Sequence, residues 1–197
     1  MNPRMRRLGR ESEQLRDDFT GHEYIRVQPV GAEPAEHYTI EYWVRGVTIA
    51  PGSTQPEYAD YHRVGVTLPN DYPRVKPLFV TQTPVFHPNF GSRLGDEICI
   101  ADYWAPSQTL SDIVIKVGEM LQYRDYNLKS PLNAQAARWA DENSNRFPVG
   151  DKAVTRVGYT GPDARADTTI ELSPDAAPAD GEPSTPEADN KGDNNVR

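Results

Sequence analysis

Four runs of β-branched and aromatic residues follow one another between Tyr24 and Gln82: "YIRVQPV", "HYTIEYWVRGV", "YHRVGVTLP" and "VKPLFVTQ". Pro, Gly and Asn punctuate the segments between them. Consecutive strands joined by turns pair antiparallel, so these runs specify a meander and exclude a parallel sheet. The turn between the second and third strands, "APGSTQPEYAD", is longer than a tight hairpin. Helical periodicity frames the sheet. Before it, Met5, Leu8, Leu15 and Phe19 recur at helical spacing in a charged segment, so residues 4–19 read as an amphipathic helix. After it, "TLSDIVIKVGEMLQY" places Leu110, Ile113, Val114, Val117, Met120 and Leu121 on one wide face, enough for a central, largely buried helix. Thr109 or Ser111 can cap its start. "SPLNAQAARWADEN" reads as a further helix, with Ser130 as N-cap and Pro131 at the first helical position. Helix, four strands, long loop and two helices, without internal repeat, make an α+β domain.

Composition sets the limits of that domain. Residues 151–197 hold ten acids, five bases, five prolines and a single aromatic, Tyr159. A segment that polar cannot bury enough apolar surface to offset its ordering entropy. The expected organisation is therefore a folded domain over 1–150 and a mostly disordered acidic tail over 151–197, with one short strand-forming run at 168–172. The whole chain carries a net charge of −8. That balance argues against nucleic acid as a ligand, since phosphate binding wants clustered Lys and Arg. No apolar run approaches the ~20 residues of a membrane span or the form of a signal peptide, so a cytoplasmic protein without a membrane partner is expected.

The chain has one cysteine, Cys99, in "HPNFGSRLGDEICI". A lone cysteine makes no internal disulfide, which fits a reducing compartment. Taken blind, such a residue is as readily a small buried hydrophobe as a reactive group. Its apolar run, "EICI", is only four residues long and lies within a Pro- and Gly-rich stretch from Thr83 to Ser107, the kind of long irregular loop that often carries function. His22, His37, His62 and His87 are scattered and no second Cys exists, so no metal site is expected. Phosphate-binding, dinucleotide-binding and serine-hydrolase motifs are absent. His87, followed by Pro88 in a turn, reads as a structural histidine bonded to its own loop. Arg4, Arg6, Arg7 and Arg10 crowd the first half of the N-terminal helix, an unfavourable place for cations near the positive end of the dipole. They read either as a solvated face or as a docking patch for an acidic partner.

The ordered succession Tyr72-Pro73, Lys76-Pro77, Phe79-Val80, His87-Pro88-Asn89, Gly95 and Ile98-Cys99 resembles the core of the ubiquitin-conjugating enzymes. "WAPSQTLSDIVIKVGEML" is similar to that family's Trp-x-Pro and central helix, and "SPLNAQAARW" to its Pro-Leu-x-x-x-x-Ala helix start. The resemblance covers about residues 4–145. No one motif is specific; their order is. It implies the UBC fold and a thioester relay. Cys99 would take ubiquitin or a ubiquitin-like protein from an activating enzyme and yield it to a lysine amine of a target, with or without a ligase. A thiol suits the task as both nucleophile and leaving group. No cofactor is implied on this chain, since ATP is used by the activating enzyme. By resemblance Asn89 either donates its amide to the tetrahedral oxyanion or holds the loop that does so, and Ser130 falls at a position gating the approaching lysine. A serine cannot act there as a carboxylate base; it contributes by positioning or is merely the N-cap. Asp125 and Asp102 are the nearest acids in sequence that could orient the amine. Trp104 and Pro106 would brace the loop, and Arg4, Arg6, Arg7 and Arg10 would face the activating enzyme.

The sequence departs from the family around the site. The spacing from His-Pro-Asn to Cys99 is longer, that from Cys99 to Trp104 shorter, and "QYRDYNLK" lacks the usual Asp-Pro-Asn run. No amphipathic helix follows Phe147, where the family has its C-terminal helix. Such departures resemble a divergent member, like those of prokaryotic ubiquitin-like systems that pair a conjugating enzyme with an activating enzyme and a metalloprotease, an analogy of fold family alone. The alternative is an inactive UBC-fold module that binds a ubiquitin-like protein. Relatives of that kind typically lack the cysteine.

Overall fold

A computed structural model describes residues 2–50, 52–101 and 103–158 of the chain. Helix α1 spans Pro3–Phe19, capped by the Asn2 side chain, which accepts from the Arg4 amide at 2.9 Å. Strands β1 (Ile25–Val30), β2 (His37–Tyr42), β5 (His62–Thr67) and β6 (Leu78–Thr81) form one antiparallel sheet in the order β1-β2-β5-β6. The second predicted run is divided: β2 ends at Tyr42, and Gly46 and Val47 at its far end open a separate hairpin, β3 (Gly46–Ile49) with β4 (Pro56–Ala59), the latter falling within the expected long turn. Helices α2 (Leu110–Leu121) and α3 (Ala134–Glu142) follow, then one 3-10 turn at Ser144–Arg146. Thr109 caps α2 in a capping box: its hydroxyl accepts from the Asp112 amide while the Asp112 carboxylate accepts from the Thr109 amide.

Alternation along the strands buries one face of the sheet. Tyr38, Ile40 and Tyr42 of β2, Val64 and Val66 of β5 and Phe79 of β6 join Leu8, Leu15 and Phe19 of α1 and Leu110, Ile113, Val114 and Val117 of α2 in a single apolar cluster. The Tyr42 hydroxyl donates to the Val114 carbonyl at 2.9 Å, fixing α2 across the sheet. Met5 does not join this cluster; it is exposed, and the buried stripe of α1 is Leu8, Glu11, Ser12, Leu15 and Phe19. A second cluster of Val47, Phe86, Tyr123, Ala136 and Ala140 seats α3 against the β3–β4 hairpin.

Helix α3 starts later than expected. Asn133, not Ser130, is its N-cap, with its Oδ1 accepting from the Ala136 amide at 3.0 Å. The preceding residues are held elsewhere, because the Leu132 and Asn133 amides both donate to the Pro88 carbonyl, at 2.8 and 3.0 Å. Packed chain also runs past the expected boundary at 150. Gln122, the C-cap of α2, donates through Nε2 to the Lys152 carbonyl and accepts the Lys152 amide, and Val154 lies fully buried against Gly118. Arg156 pairs with Asp18 and Asp112, tying this extended segment to α1 and α2. The run at 168–172 and the rest of 159–197 lie outside the described residues. No described helix is long and apolar enough to cross a membrane.

Candidate active site

The site is assembled on the His87-Pro88-Asn89 turn. His87 is fully buried, and its Nδ1 accepts the Asn89 amide at 3.1 Å, which assigns the proton of the neutral ring to Nε2. Nε2 is buried without a hydrogen-bond partner. Burial pushes the imidazole down to about 3. Rings of Tyr123 and Phe90 pack on it at 4.6 and 5.0 Å. The structural role expected of His87 is the one its surroundings allow: a neutral ring bracing a turn.

Beyond the turn the chain reverses through Gly91 and Gly95 and returns along β6. A side chain at Gly91 would strike Asp96, its Cβ lying 2.1 Å from that residue's Cβ, and Gly95 has φ +86°, a conformation that favours glycine. The return segment is held by the Ile98 amide donating to the Phe79 carbonyl and the Cys99 amide donating to the Asn89 carbonyl, each at 2.8 Å. Here extended backbone alternates. Ile98 and Ile100 are each 1% exposed and point into the core, so Cys99 between them turns outward and is half-buried. The run "EICI" is thus both core and site, on alternate residues.

Cys99 opens into a groove of about 230 Å³ walled by Asn89, Ile100 and Ala101 on its own segment, Lys116 and Met120 on α2, and Asp125 and Asn127 on the loop after α2. Tyr123 turns the chain from α2 into that loop. Its φ of 59° is costly for an aromatic residue, and it is held there by its hydroxyl donating to the Phe86 carbonyl at 2.6 Å and by Phe147 stacked at 4.4 Å. Asn89 then pins the loop. Its Nδ2 donates to the Asn127 carbonyl at 3.0 Å and its Oδ1 accepts the Asn127 amide at 2.7 Å. Of the two roles expected for Asn89, loop support is the one its contacts display.

The other expected residues divide. Asp125 lines the groove and forms a 2.5 Å ion pair with Lys116, a residue that no local pattern marks because it lies nine positions away on another element. Ser130 is exposed, neither an N-cap nor part of the groove wall. Asp102 lies outside the described residues. Trp104 braces the loop as expected, donating from Nε1 to the Pro73 carbonyl at 2.7 Å, and Pro106 offers its carbonyl to Arg7. Of the four arginines at the start of α1, two are engaged within the fold. Arg4 pairs with Glu36 at 2.6 Å and donates to the Leu68 and Pro69 carbonyls, and Arg7 pairs with the buried Glu11. Arg6 and Arg10 alone remain exposed among them.

The sequence profile of the ubiquitin-conjugating enzymes matches residues 14–154, from the middle of α1 to the segment packed on α2. The chain belongs to the ubiquitin-conjugating enzyme family. Its helix, four-stranded antiparallel sheet and following helices are those of the UBC fold, as the order of motifs implied. It is 26% identical over 117 residues to the ubiquitin-conjugating enzyme E2-20 kDa of Schizosaccharomyces pombe, covering 57% of this chain and 63% of that protein. The match therefore spans less than two thirds of that relative. Among the described residues no helix follows the 3-10 turn, and the extended segment at 149–157 lies along α2 instead. Around this UBC core, pH matters through two buried imidazoles. His62 is pushed down by burial to about 4, and His87 to about 3. Both bind a proton more weakly folded than unfolded, so their contribution is complete above pH ~6.5 and is lost as pH falls toward those values. At pH 5 the fold is expected to be about 4 kcal/mol less stable than at pH 7.5. A pH series of urea midpoints measures this; a flat profile over that window contradicts it.

Proposed function

We propose that this chain is a working conjugating enzyme that receives ubiquitin or a ubiquitin-like protein from an activating enzyme as a thioester on Cys99 and passes it to a lysine amine. The observation that carries the reading is the outward turn of Cys99 into a groove shared with Asn89. The incoming C-terminal carbonyl would lie in that groove, the sulfur attacking it and the Asn89-pinned loop closing one side. Preorganised backbone and side-chain dipoles around a developing oxyanion are the usual source of such rate enhancement. The thiolate is then the leaving group when an amine attacks. Asp125, at the groove wall, is suited to orient that amine. Cys99 chemistry needs no bound cofactor; ATP is consumed by the activating enzyme. A ligase that brings the target is a further expected partner.

Alkylation tests the reading against an inactive binding module. Iodoacetamide is expected to modify Cys99 in the native protein and thereby to block loading by the activating enzyme. A thiol that reacts only after denaturation favours the module. Docking of the activating enzyme on α1 would fall to Arg6 and Arg10. Reversing both charges, Arg6→Glu with Arg10→Glu, is expected to slow loading of Cys99 while leaving the urea midpoint unchanged. Unaltered loading would return these two arginines to the solvated face.

A further inference from the structure

We propose that the pocket beyond the C-terminal end of α2 is a further binding site, one that takes a small nucleoside phosphate. Its volume is about 630 Å³, within the range of about 300–1,000 Å³ that small-molecule sites occupy. Four stretches of chain converge on it: Trp43 and Arg45 between β2 and β3, Asp60 between β4 and β5, Arg124 after α2, and the extended run 148–152. These walls are fixed by the fold. The Gln122 carbonyl accepts the Val149 amide at 2.9 Å, and the Trp43 amide donates to the Tyr24 carbonyl at 2.9 Å. Gly150 packs tightly on the β2–β3 connection, where a Cβ would lie 2.9 Å from the Arg45 carbonyl and 2.6 Å from Gln122 Oε1. Arg124 and Asp125 are neighbours that line different cavities, so this pocket and the Cys99 groove share one loop.

Cations outnumber acids on these walls by three to two, Arg45, Arg124 and Lys152 against Asp60 and Asp151, in a chain whose net charge is −8. The acids hold the cations weakly. The side chains of Asp60 and Asp151 are 71% and 92% exposed, and ion pairs open to water contribute little. Asp151 reaches Lys152 only at 4.0 Å, and Glu119 meets Arg124 at 3.5 Å. Each guanidinium spends Nε on its acid, and Arg124 adds a 3.4 Å bond to the Gly150 carbonyl, which leaves donors of both planar forks for the oxygens of an anion. Phosphate fits that geometry and carries a charge of roughly −1.5 to −2, enough to engage two cations at once. A long polyanion would meet the repulsion of the whole chain; a small one meets only the pocket. Trp43 supplies the other half of the recognition. Its indole lines the pocket, held by Arg26 at 5.0 Å from the ring centroid and by the Tyr61 ring at 5.7 Å. Pro148 and Val149 add apolar surface to the same pocket. A ligand that sets a flat base against the indole and phosphates against the cations uses both kinds of wall, whereas a bare anion or a bare ring uses one.

Calorimetry on the full-length protein with ADP as the probe tests the assignment without reference to Cys99. ADP is expected to bind at one site, with adenosine and pyrophosphate each about tenfold or more weaker. Arg45→Gln and Lys152→Gln remove cations whose ion pairs are exposed or long. Each should lower the ADP affinity about tenfold, the loss of one charge-assisted bond, and leave the urea midpoint at the parent's value. Bound ADP should also quench tryptophan emission in the parent but not in Trp43→Phe, which keeps a ring at that position and so keeps the calorimetric binding. Neither heat nor quenching with millimolar ADP overturns the proposal, as does equal affinity in the parent and both cation variants. Pyrophosphate that binds as tightly as ADP, with tryptophan emission unchanged, overturns it too, because the pocket would then recognise the anion alone.

Discussion

Glu11→Ala is expected to cost the fold about 3–5 kcal/mol, the usual penalty for stranding one partner of a buried ion pair. Glu11 is 2% exposed and serves three elements. Its Oε1 accepts from Arg7 Nε and from the Tyr72 hydroxyl, each at 2.6 Å, and its Oε2 accepts the Leu110 amide at 2.8 Å. Leu110 opens α2, so the carboxylate occupies the helix end where unpaired amides and a partial positive charge favour an anion. Arg7 in turn reaches the Pro106 and Gln108 carbonyls, fixing the loop between Trp104 and α2. Removing the carboxylate takes the counter-charge from the Arg7 guanidinium and the acceptor from the Tyr72 hydroxyl and the Leu110 amide together. Glu11→Gln keeps the shape and an acceptor and should cost roughly half as much. Urea unfolding measures both, and an alanine variant within about 1 kcal/mol of the parent contradicts the assignment.

Asn89→Ala is expected to slow transfer from charged Cys99 to a free amine by about 10²-fold, the scale of loss when a reacting group shifts by roughly an ångström. Both polar ends of the side chain are spent on Asn127, so the variant unpins the loop that carries Asp125 and Lys129 past the groove. Hydrogen exchange separates the mechanisms. If Asn89 acts through the loop, protection of the Lys129 amide, which donates to Asn127 Oδ1 at 2.8 Å within the loop, falls along with transfer. If transfer falls while that amide stays protected, the side chain acts on the reacting carbonyl itself.

Local pattern and long-range contact explain which parts of this molecule are legible in its sequence. The helices α1 and α2 and the strands β1, β2, β5 and β6 announce themselves because burial of one face imposes its period directly on the residues. The β3–β4 hairpin is hidden: each strand has four residues, and β4 begins at Pro56 amid turn formers. Ser130 reads as a cap from its Pro131 neighbour, but the Pro88 carbonyl, some forty residues earlier, captures the amides that would have begun the helix there. Arg4 and Arg7 look like surface charge because their partners Glu36, Pro106 and Gln108 are remote in sequence. Cys99 is legible only through the order of motifs around it, since its short apolar run reads equally as burial; its outward turn between two buried isoleucines is a product of the fold. Lys116 and Asp125 meet only once α2 and the loop after Tyr123 are in place.

The proposed function depends on one sulfur that can be reached from outside and can hold an acyl group until an amine removes it. The direct measurement is loading by an activating enzyme with ATP and a ubiquitin-like modifier, followed by gel and intact mass for the parent, Cys99→Ala and Cys99→Ser. The expected result is one adduct that reductant releases in the parent, none in the alanine variant, and an adduct resistant to reductant but cleaved by mild base in the serine variant. An adduct that survives in Cys99→Ala, or a parent that stays unloaded by modifiers its activating enzyme has accepted, contradicts it.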